Sequence, residues 1–242
     1  MQLFVNHTRQ TRNKLKKNMK KVLFMIACVM ALTACQMDLN NWGSKTLKAS
    51  KNIVTKEYHL TPFEEVELSC VGAVELIQSE TKDGVVELTA PDNYIDLYKF
   101  TSDGKKLDID YAKRGVNIHN KYVKIKVYTT DLIKLENSGA ATIKMDSLDT
   151  DRIEIENSGV GDIKIGGIAD EAELICSGVG SIHAGQLKAL KVKAEVSGVG
   201  SIECYASEEI EGGVSGVGSL KYGGHPKQKK TSRSGIGSIS EK

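Results

Sequence analysis

The chain has 242 residues, of which 40% are hydrophobic, 26% are charged and 5% are aromatic, with 23 Gly and 3 Pro. This composition provides enough apolar residues for a core and excludes a disordered chain, and the abundance of Gly favours closely stacked strands. The net charge of +2 is misleading, because seven of the 33 basic residues lie in residues 1–34, which contain no acid. The remaining 26 basic and 31 acidic residues give no indication of a nucleic-acid partner.

The N-terminal segment has the pattern of a lipoprotein signal peptide. Lys20 and Lys21 precede an apolar run from Val22 to Leu32, which is too short to span a bilayer. The run ends in Leu-Thr-Ala-Cys at residues 32–35, which resembles the bacterial lipobox, whose cysteine is acylated and becomes the new N-terminus. An unrelated or buried cysteine is the alternative. We predict a signal peptide over residues 19–34.

Acylation of Cys35 would anchor the protein to a bilayer without spanning it. We therefore expect the membrane as a partner through this lipid, and a cell-envelope location as an outer-membrane lipoprotein that faces the periplasm or the surface. The polar residues 35–52 are predicted to form a tether. Met19 directly precedes the two lysines, so residues 1–18 are interpreted as an upstream extension, with the start left open between Met1 and Met19.

A repeated Ser-Gly element organises the rest of the chain. Each copy has Ser-Gly, a small apolar residue, Gly or Ala, and an apolar residue two positions later. The copies begin at Ser138, Ser158, Ser177, Ser197, Ser215 and Ser234. Their spacings of 20, 19, 20, 18 and 19 residues are typical of a repeat architecture with one copy per turn. Residues 69–74 form an outlying seventh copy, with Cys70 in place of the first Gly.

Apolar residues recur at fixed distances from each Ser, and polar residues lie between them. Five positions before the Ser stand Ile133, Ile153, Ala172, Val192 and Ile210, three before it Leu135, Ile155, Leu174, Ala194 and Gly212, and five after it Ile143, Ile163, Ile182, Ile202, Leu220 and Ile239. This alternation predicts two strands per copy, each with one inward face, stacked edge to edge in successive turns. Cys176 and Cys204 fall in core columns and are interpreted as small apolar fillers.

Short alternating segments precede the first full copy and predict strands. They cover residues 53–60, 85–90, 94–100, 107–111 and 122–128, with turn signals at residues 83–84, 91–93 and 103–104. We therefore predict an all-β fold: a right-handed β-helix-like solenoid of about 19-residue repeats with an N-terminal antiparallel meander. The prediction is one domain over residues 53–242, with the repeats in residues 132–242.

The glycines of the repeat are interpreted as bends between the two strands of a copy. They would supply a positive φ or a close backbone approach, while the Val and Ile of the element would feed the core. A phosphate-binding loop is the alternative, but no Lys follows the glycines as such loops require. Gly161-Asp162 matches a calcium-binding repeat only superficially, and the cysteine and histidine spacings do not match zinc sites. We predict no metal and no cofactor.

A few outward positions of the repeat carry groups that could take part in catalysis. Asp162, Lys164 and His183 are predicted to be neighbours on one face, and they are the best candidates for a binding face or for acid–base chemistry. A solvated ladder of charges explains them equally well, so we predict no enzymatic activity. In the final copy, Lys229 and Arg233 replace the apolar residues of the strand, which favours a polar last turn that prevents edge-to-edge growth.

The segment from Phe63-Glu64-Glu65-Val66 through Asp131-Leu132 to the six Ser-Gly copies resembles the putative auto-transporter adhesin, head GIN domain, family. The resemblance covers about residues 53–240. It implies an exported, β-helix-like all-β domain with an adhesin function, and it carries over no catalytic residue.

The sequence therefore predicts a cell-envelope lipoprotein whose solenoid acts as a binding or adhesion module for a glycan or a protein ligand. Two alternatives stay open: a carbohydrate-active enzyme on one solenoid face, and a structural envelope scaffold that acts through exposed strand edges. The oligomeric state is left open.

Overall fold

The computed structural model describes residues 45–113, 115–118 and 122–242, and residues 46–242 form one compact unit. The predicted extension over residues 1–18, the signal peptide over residues 19–34, the lipid attachment at Cys35 and the tether up to residue 44 lie outside the described residues. In the part of the chain that the structure describes, no helix is long and apolar enough to cross a bilayer.

The described chain is 70% strand and 3% helix, which confirms the predicted all-β class. The elements are β1 (Lys45–Thr46), β2 (Ile53–His59), β3 (Glu65–Leu68), β4 (Val71–Gln78), β5 (Val85–Pro91), α1 (Asp92–Ile95), β6 (Tyr98–Ser102), β7 (Lys106–Tyr111), β8 (Val116–Asn117), β9 (Lys124–Thr129), β10 (Lys134–Asn137), β11 (Ala140–Asn157), β12 (Ile163–Cys176), β13 (Val179–Val196), β14 (Val199–Val214), β15 (Val217–Gly223), β16 (Gln228–Arg233) and β17 (Ile236–Glu241).

The repeats form a parallel β-solenoid of about five turns. The first parts of the long strands β11 to β14 pair in one parallel ladder that continues through β15 and β17 and is called sheet I. The later parts pair in a second ladder with β10 and β16, called sheet II. The inner faces of the two sheets meet, since a Cβ built on Gly212 of sheet II would lie 2.4 Å from Leu220 Cδ2 of sheet I.

Antiparallel strands close the N-terminal end of both sheets, which confirms the predicted meander. Sheet I continues through β4 and β9 to β5 and β2, the last two being antiparallel to their neighbours. Sheet II continues through β3 and β7 to the antiparallel β6.

The strand predicted over residues 94–100 was wrong in its first half. Residues Asp92–Ile95 form α1 and the strand begins at Tyr98. Pro91 ends β5, because it has no N–H for a further ladder bond. Tyr94 is then fully buried and donates its hydroxyl to Leu47 O at 2.6 Å, so this segment covers the end of the core.

The predicted core columns are confirmed. The residues five positions after each Ser in the first five copies are all 0% exposed: Ile143, Ile163, Ile182, Ile202 and Leu220. Each such side chain contributes about 1.5–3 kcal/mol by leaving water, so the columns dominate the stability of the solenoid. Cys176 and Cys204 are buried in the same core, as predicted, and burial raises the pKa of the Cys204 thiol to about 12.

The first glycine of each corner is required by close backbone approach. A Cβ on Gly178 would lie 2.1 Å from Gly159 O in the preceding turn, and Gly198 has the same arrangement with Gly178 O at 2.2 Å. Neither glycine has a positive φ, so the close approach of the backbone, and not the backbone conformation, is the reason that Gly is required here. Cys70 can replace the first glycine because no Ser-Gly corner precedes it; its side chain is 1% exposed.

The last turn is polar, as predicted. Every residue of β16 is exposed. Lys229 Nζ reaches both carboxylate oxygens of Glu241 on β17, at 2.9 and 2.7 Å, and Arg233 Nη1 donates to Gly237 O at 2.6 Å. Ion pairs and hydrogen bonds therefore join the two sheets at the end of the solenoid, where earlier turns use apolar contacts.

Candidate binding face

The apolar residue that follows each Ser-Gly pair lies on the outer surface, against our expectation that it would feed the core. The exposed fractions are 55% for Val160, 54% for Val179, 55% for Val199, 50% for Val217 and 78% for Ile236. These residues are direct cross-strand neighbours in sheet I, with Ala140 at the first position. They form a continuous apolar row along the solenoid, here called the valine ladder. The physical reason is the pleat: Val179 has the same parity as the outward Ser181, and opposite parity to the buried Ile182.

Two further rows run beside the valine ladder on the same outer face. The first is called the hydroxyl ladder, because all of its residues but one carry a hydroxyl group. It consists of Thr142, Asp162, Ser181, Ser201, Ser219 and Ser238. The second, the charged ladder, consists of Lys144, Lys164, His183, Glu203 and Lys221, each the direct cross-strand neighbour of the next. The three rows together are called face I. Because strand residues alternate, the rows follow one another at two-residue steps, about 7 Å apart.

The structure places the three predicted site residues on face I. Lys164 and His183 are cross-strand neighbours and are both exposed. Asp162 lies one row away, and its Oδ1 accepts a hydrogen bond from Ser181 N at 2.9 Å. The Asp162 carboxylate therefore accepts the hydrogen bond of Ser181 N in place of a backbone carbonyl, because β12 begins only at the next residue. The arrangement gives Asp162 a structural role in the corner beside any role in binding.

Charges on face I are only partly paired. The carboxylate of Glu203 is bonded by Lys242 Nζ, and this hydrogen bond holds the pKa of Glu203 below its usual range. Lys144 pairs with Asp146. Among the described residues, no ion pair involves Lys164 or Lys221, so face I presents unneutralised positive charge next to an apolar row.

The outer face of sheet II differs in chemistry. Three carboxylates, Glu67, Glu136 and Glu156, are in register on adjacent strands. Burial, followed by the charges of Glu67 and Glu156, raises the pKa of Glu136. Other charges on this face form cross-strand ion pairs, including Lys193 Nζ with Glu173 Oε1 at 2.6 Å. The apolar row is therefore a property of face I and not of the solenoid surface in general.

An open groove of about 600 Å³ lies near the other corner of the solenoid. Its polar groups are largely used internally: Gln78 Nε2 donates to Thr130 O and Asp149 O, and Gln78 Oε1 accepts from Asp149 N. In the described part of the chain, no group of three or more Asp, Glu, His or Cys residues is arranged to hold a metal ion. Face I is therefore the better candidate for a functional surface.

Comparisons with known proteins identify similar sequences and structures. The model of the putative auto-transporter adhesin, head GIN domain, family matches residues 62–226. A putative adhesin from Bacteroides fragilis is similar in structure, with 30% identity and a TM-score of 0.70, over 81% of this chain and 100% of that one. A putative lipid binding protein from Parabacteroides distasonis has 21% identity and a TM-score of 0.51, over 82% of this chain and 100% of its own, and shows the fold alone. No curated protein matches the chain significantly in sequence.

Proposed function

This chain belongs to the putative auto-transporter adhesin, head GIN domain, family, and on that basis we propose that it is an adhesion module whose binding surface is face I. Family membership supports an envelope or extracellular location and gives no support to an enzyme. The observation that carries the choice of surface is the valine ladder, because an exposed apolar row bordered by polar groups marks interaction sites on soluble domains.

The rigidity of the solenoid suits this function. Each row of face I is fixed by the parallel ladder beneath it and by the buried column on the opposite side of the strand. Binding to such a preformed surface requires little ordering of side chains, since Val and Ser have few rotamers to lose. The energy of each contact is small, and an adhesin compensates by using many copies at once.

We place the module on the outer membrane, held there by acyl chains on Cys35. The supporting observations are the apolar run and the Leu-Thr-Ala-Cys sequence at residues 32–35. Two or three acyl chains give stable anchoring, whereas one gives only reversible binding. Incorporation of a labelled fatty acid should be lost in a Cys35→Ser variant. Retention of label in that variant would show that the anchor lies elsewhere.

The test of the binding surface uses cells that display the full chain. Binding of these cells to arrays of glycans and extracellular proteins is measured. Val179→Glu and Val199→Glu together should reduce binding at least tenfold, because they place two carboxylates in the apolar row. Glu195→Lys is the matched control, because it changes an exposed charge on the outer face of sheet II. Equal loss in both variants, or no loss in the valine variant, would contradict the assignment of face I.

A further inference from the structure

We propose that the C-terminal end of the solenoid binds an acidic polysaccharide. This surface consists of residues 221–242 and is called the basic end. It is separate from face I, so the inference goes beyond the proposed function and does not depend on it. Three features of the basic end support the proposal: the sign of its charge, the cations that have no internal partner, and the uncharged donors beside them.

Charge is distributed unevenly along the chain. Residues 221–242 contain six basic residues and one acidic residue, whereas residues 35–220 contain 20 basic and 30 acidic residues. With His neutral, the basic end therefore has a formal charge of +5, beside a body with a formal charge of −10. Four of the cations lie in the seven residues 227–233, and Lys/Arg-rich segments of this length are typical of sites for polyanions such as heparin.

The polar last turn does not by itself require positive charge. Three residues of β16 are in register with core-facing residues of β14: Lys229 with Ile210, Thr231 with Gly212, and Arg233 with Val214. Charged side chains of either sign at these positions would keep a further strand from adding to the edge. The choice of cations therefore indicates a second role, which is the attraction of a negatively charged partner.

Only part of this positive charge is neutralised within the protein. Three cations pair with carboxylates: Lys229 with Glu241, Lys230 with Glu211, and Lys242 with Glu203. Among the described residues, no ion pair involves Lys221, Lys227 or Arg233, and all three are exposed. Arg233 Nη1 donates to Gly237 O at 2.6 Å, which orients the guanidinium without neutralising it. Its other N–H groups can donate to a carboxylate or a sulfate.

Uncharged donors lie on the same two strands as these cations. Exposed hydroxyl groups are contributed by Thr231, Ser232, Ser238 and Ser240. Among the described strands, β16 pairs only with β14 and β17 only with β15, so each has a free edge with backbone N–H groups open to solvent. Hydroxyl and N–H groups interspersed with cations match a chain of sugars that carries both hydroxyl and acidic groups.

Other polyanionic partners fit the basic end less well. Tyr222 is the one aromatic residue of residues 221–242 and is 7% exposed, so no ring is available to stack on nucleic-acid bases. Ile236 is the one large apolar side chain exposed in this segment, which offers little apolar area to a bilayer. The acidic body repels a polyanion beyond the end itself, so binding should involve few charged groups and should depend strongly on salt.

Surface plasmon resonance with the full chain in neutral detergent tests the proposal. The probes are immobilised heparin, which is sulfated, and polygalacturonate, which is carboxylated. Lys227→Gln with Arg233→Gln removes two unpaired cations and should weaken binding about tenfold or more at 0.1 M salt, and 1 M salt should abolish binding of the parent protein. Lys227→Gln alone leaves the Arg233 bond to Gly237 O intact and should weaken binding about threefold.

Lys48→Gln with Lys51→Gln is the matched control. It removes the same charge from two exposed lysines that precede β2, at the opposite end of the solenoid, and should change the affinity less than about twofold. An equal loss in the control and in the Lys227, Arg233 variant would overturn the proposal, and so would the absence of binding to both polysaccharides at 0.1 M salt. Tighter binding to duplex DNA or to phosphatidylserine vesicles than to both polysaccharides would also overturn it.

The outcomes separate this proposal from the proposed function. The Val179→Glu, Val199→Glu variant should lose the array ligand of face I and retain binding to the acidic polysaccharide. The Lys227→Gln, Arg233→Gln variant should show the reverse. Failure of polysaccharide binding would leave the test of face I unaffected, because the two tests change different residues.

Discussion

Gly178→Ala tests the close approach of turns at the corner. The added Cβ would lie 2.1 Å from Gly159 O, 2.5 Å from Ser158 O and 2.6 Å from Ser158 C. All three are backbone atoms, so no side chain can rotate away. Restoring ordinary contact at 3.4 Å requires a shift of about 1.3 Å between the two turns.

The shift would break the hydrogen bonds that close this corner. Gly178 N donates to Asn157 O at 3.0 Å and Val179 N donates to Gly159 O at 2.9 Å. Losing both costs about 1–3 kcal/mol, and the overpacking strain adds about 1–3 kcal/mol. We expect a loss of about 4 kcal/mol in the free energy of unfolding, and a fall in Tm of about 8–16 °C for a domain of this size.

Guanidinium unfolding and thermal melts measure this loss, and Gly213→Ala is the matched control. Its Cβ would meet nothing closer than Glu195 Cγ at 3.9 Å, and Gly213 has no positive φ. The control should be unchanged or stabilised by about 0.4–1 kcal/mol, because Ala restricts the unfolded chain. A Gly178→Ala variant within about 0.5 kcal/mol of the parent protein would refute the steric argument.

Three other predictions concern the buried and partly buried polar groups. Asn157→Val should lower the free energy of unfolding by about 2–3 kcal/mol in denaturant titrations, because it leaves the buried side-chain amide of Asn137 without its acceptor at 2.9 Å. Asn137→Val should cost less than Asn157→Val, because it removes Asn137 Oδ1, a buried oxygen that has no hydrogen-bond partner. The pKa of Glu136 is raised above its usual 4.5, so its contribution to stability is complete below that pH and is lost as the pH rises through the folded-state pKa. Glu136→Gln should therefore gain stability relative to the parent protein between pH 4 and pH 7, and a constant difference would contradict this. Burial raises the pKa of Cys70 and Cys204 to about 12, so both should react with a thiol reagent at pH 8 only after unfolding.

The repeat made most of the fold predictable. A fixed distance from each Ser identified the buried columns, because the strand period and the turn length together place like residues in one column. The segment at Tyr94 could not be predicted in this way, since it occurs once and has no sister copy to compare. Its helical turn depends on contact with the end of the core and with Leu47 O, which is a tertiary effect.

The candidate site was only partly predictable. Lys164 and His183 were correctly placed as neighbours from their equal distance to the preceding Ser. The exposure of Val179 was missed because the glycines on either side suggested a bend, not a strand. The signal was present in the sequence: counting back by twos from the outward Ser181 gives Val179 on the same face. The functional interpretation of this exposure required the structure, which shows that five such residues of the valine ladder form one solvent-exposed row.

The glycine corner also determines how such a protein can change in length. Each corner glycine is required only by the backbone of the turn before it, which leaves no room for a Cβ. The first turn has no such corner before it and carries Cys70 at this position. A whole copy of about 19 residues can therefore be duplicated or deleted between two corners without altering the contacts of either neighbour. The identical Val-Ser-Gly-Val-Gly-Ser segments at residues 196–201 and 214–219 provide matching sites for recombination between copies. Gene duplication within the chain would then lengthen the adhesive rod in steps of about 4.8 Å, with the polar last turn retained at its end.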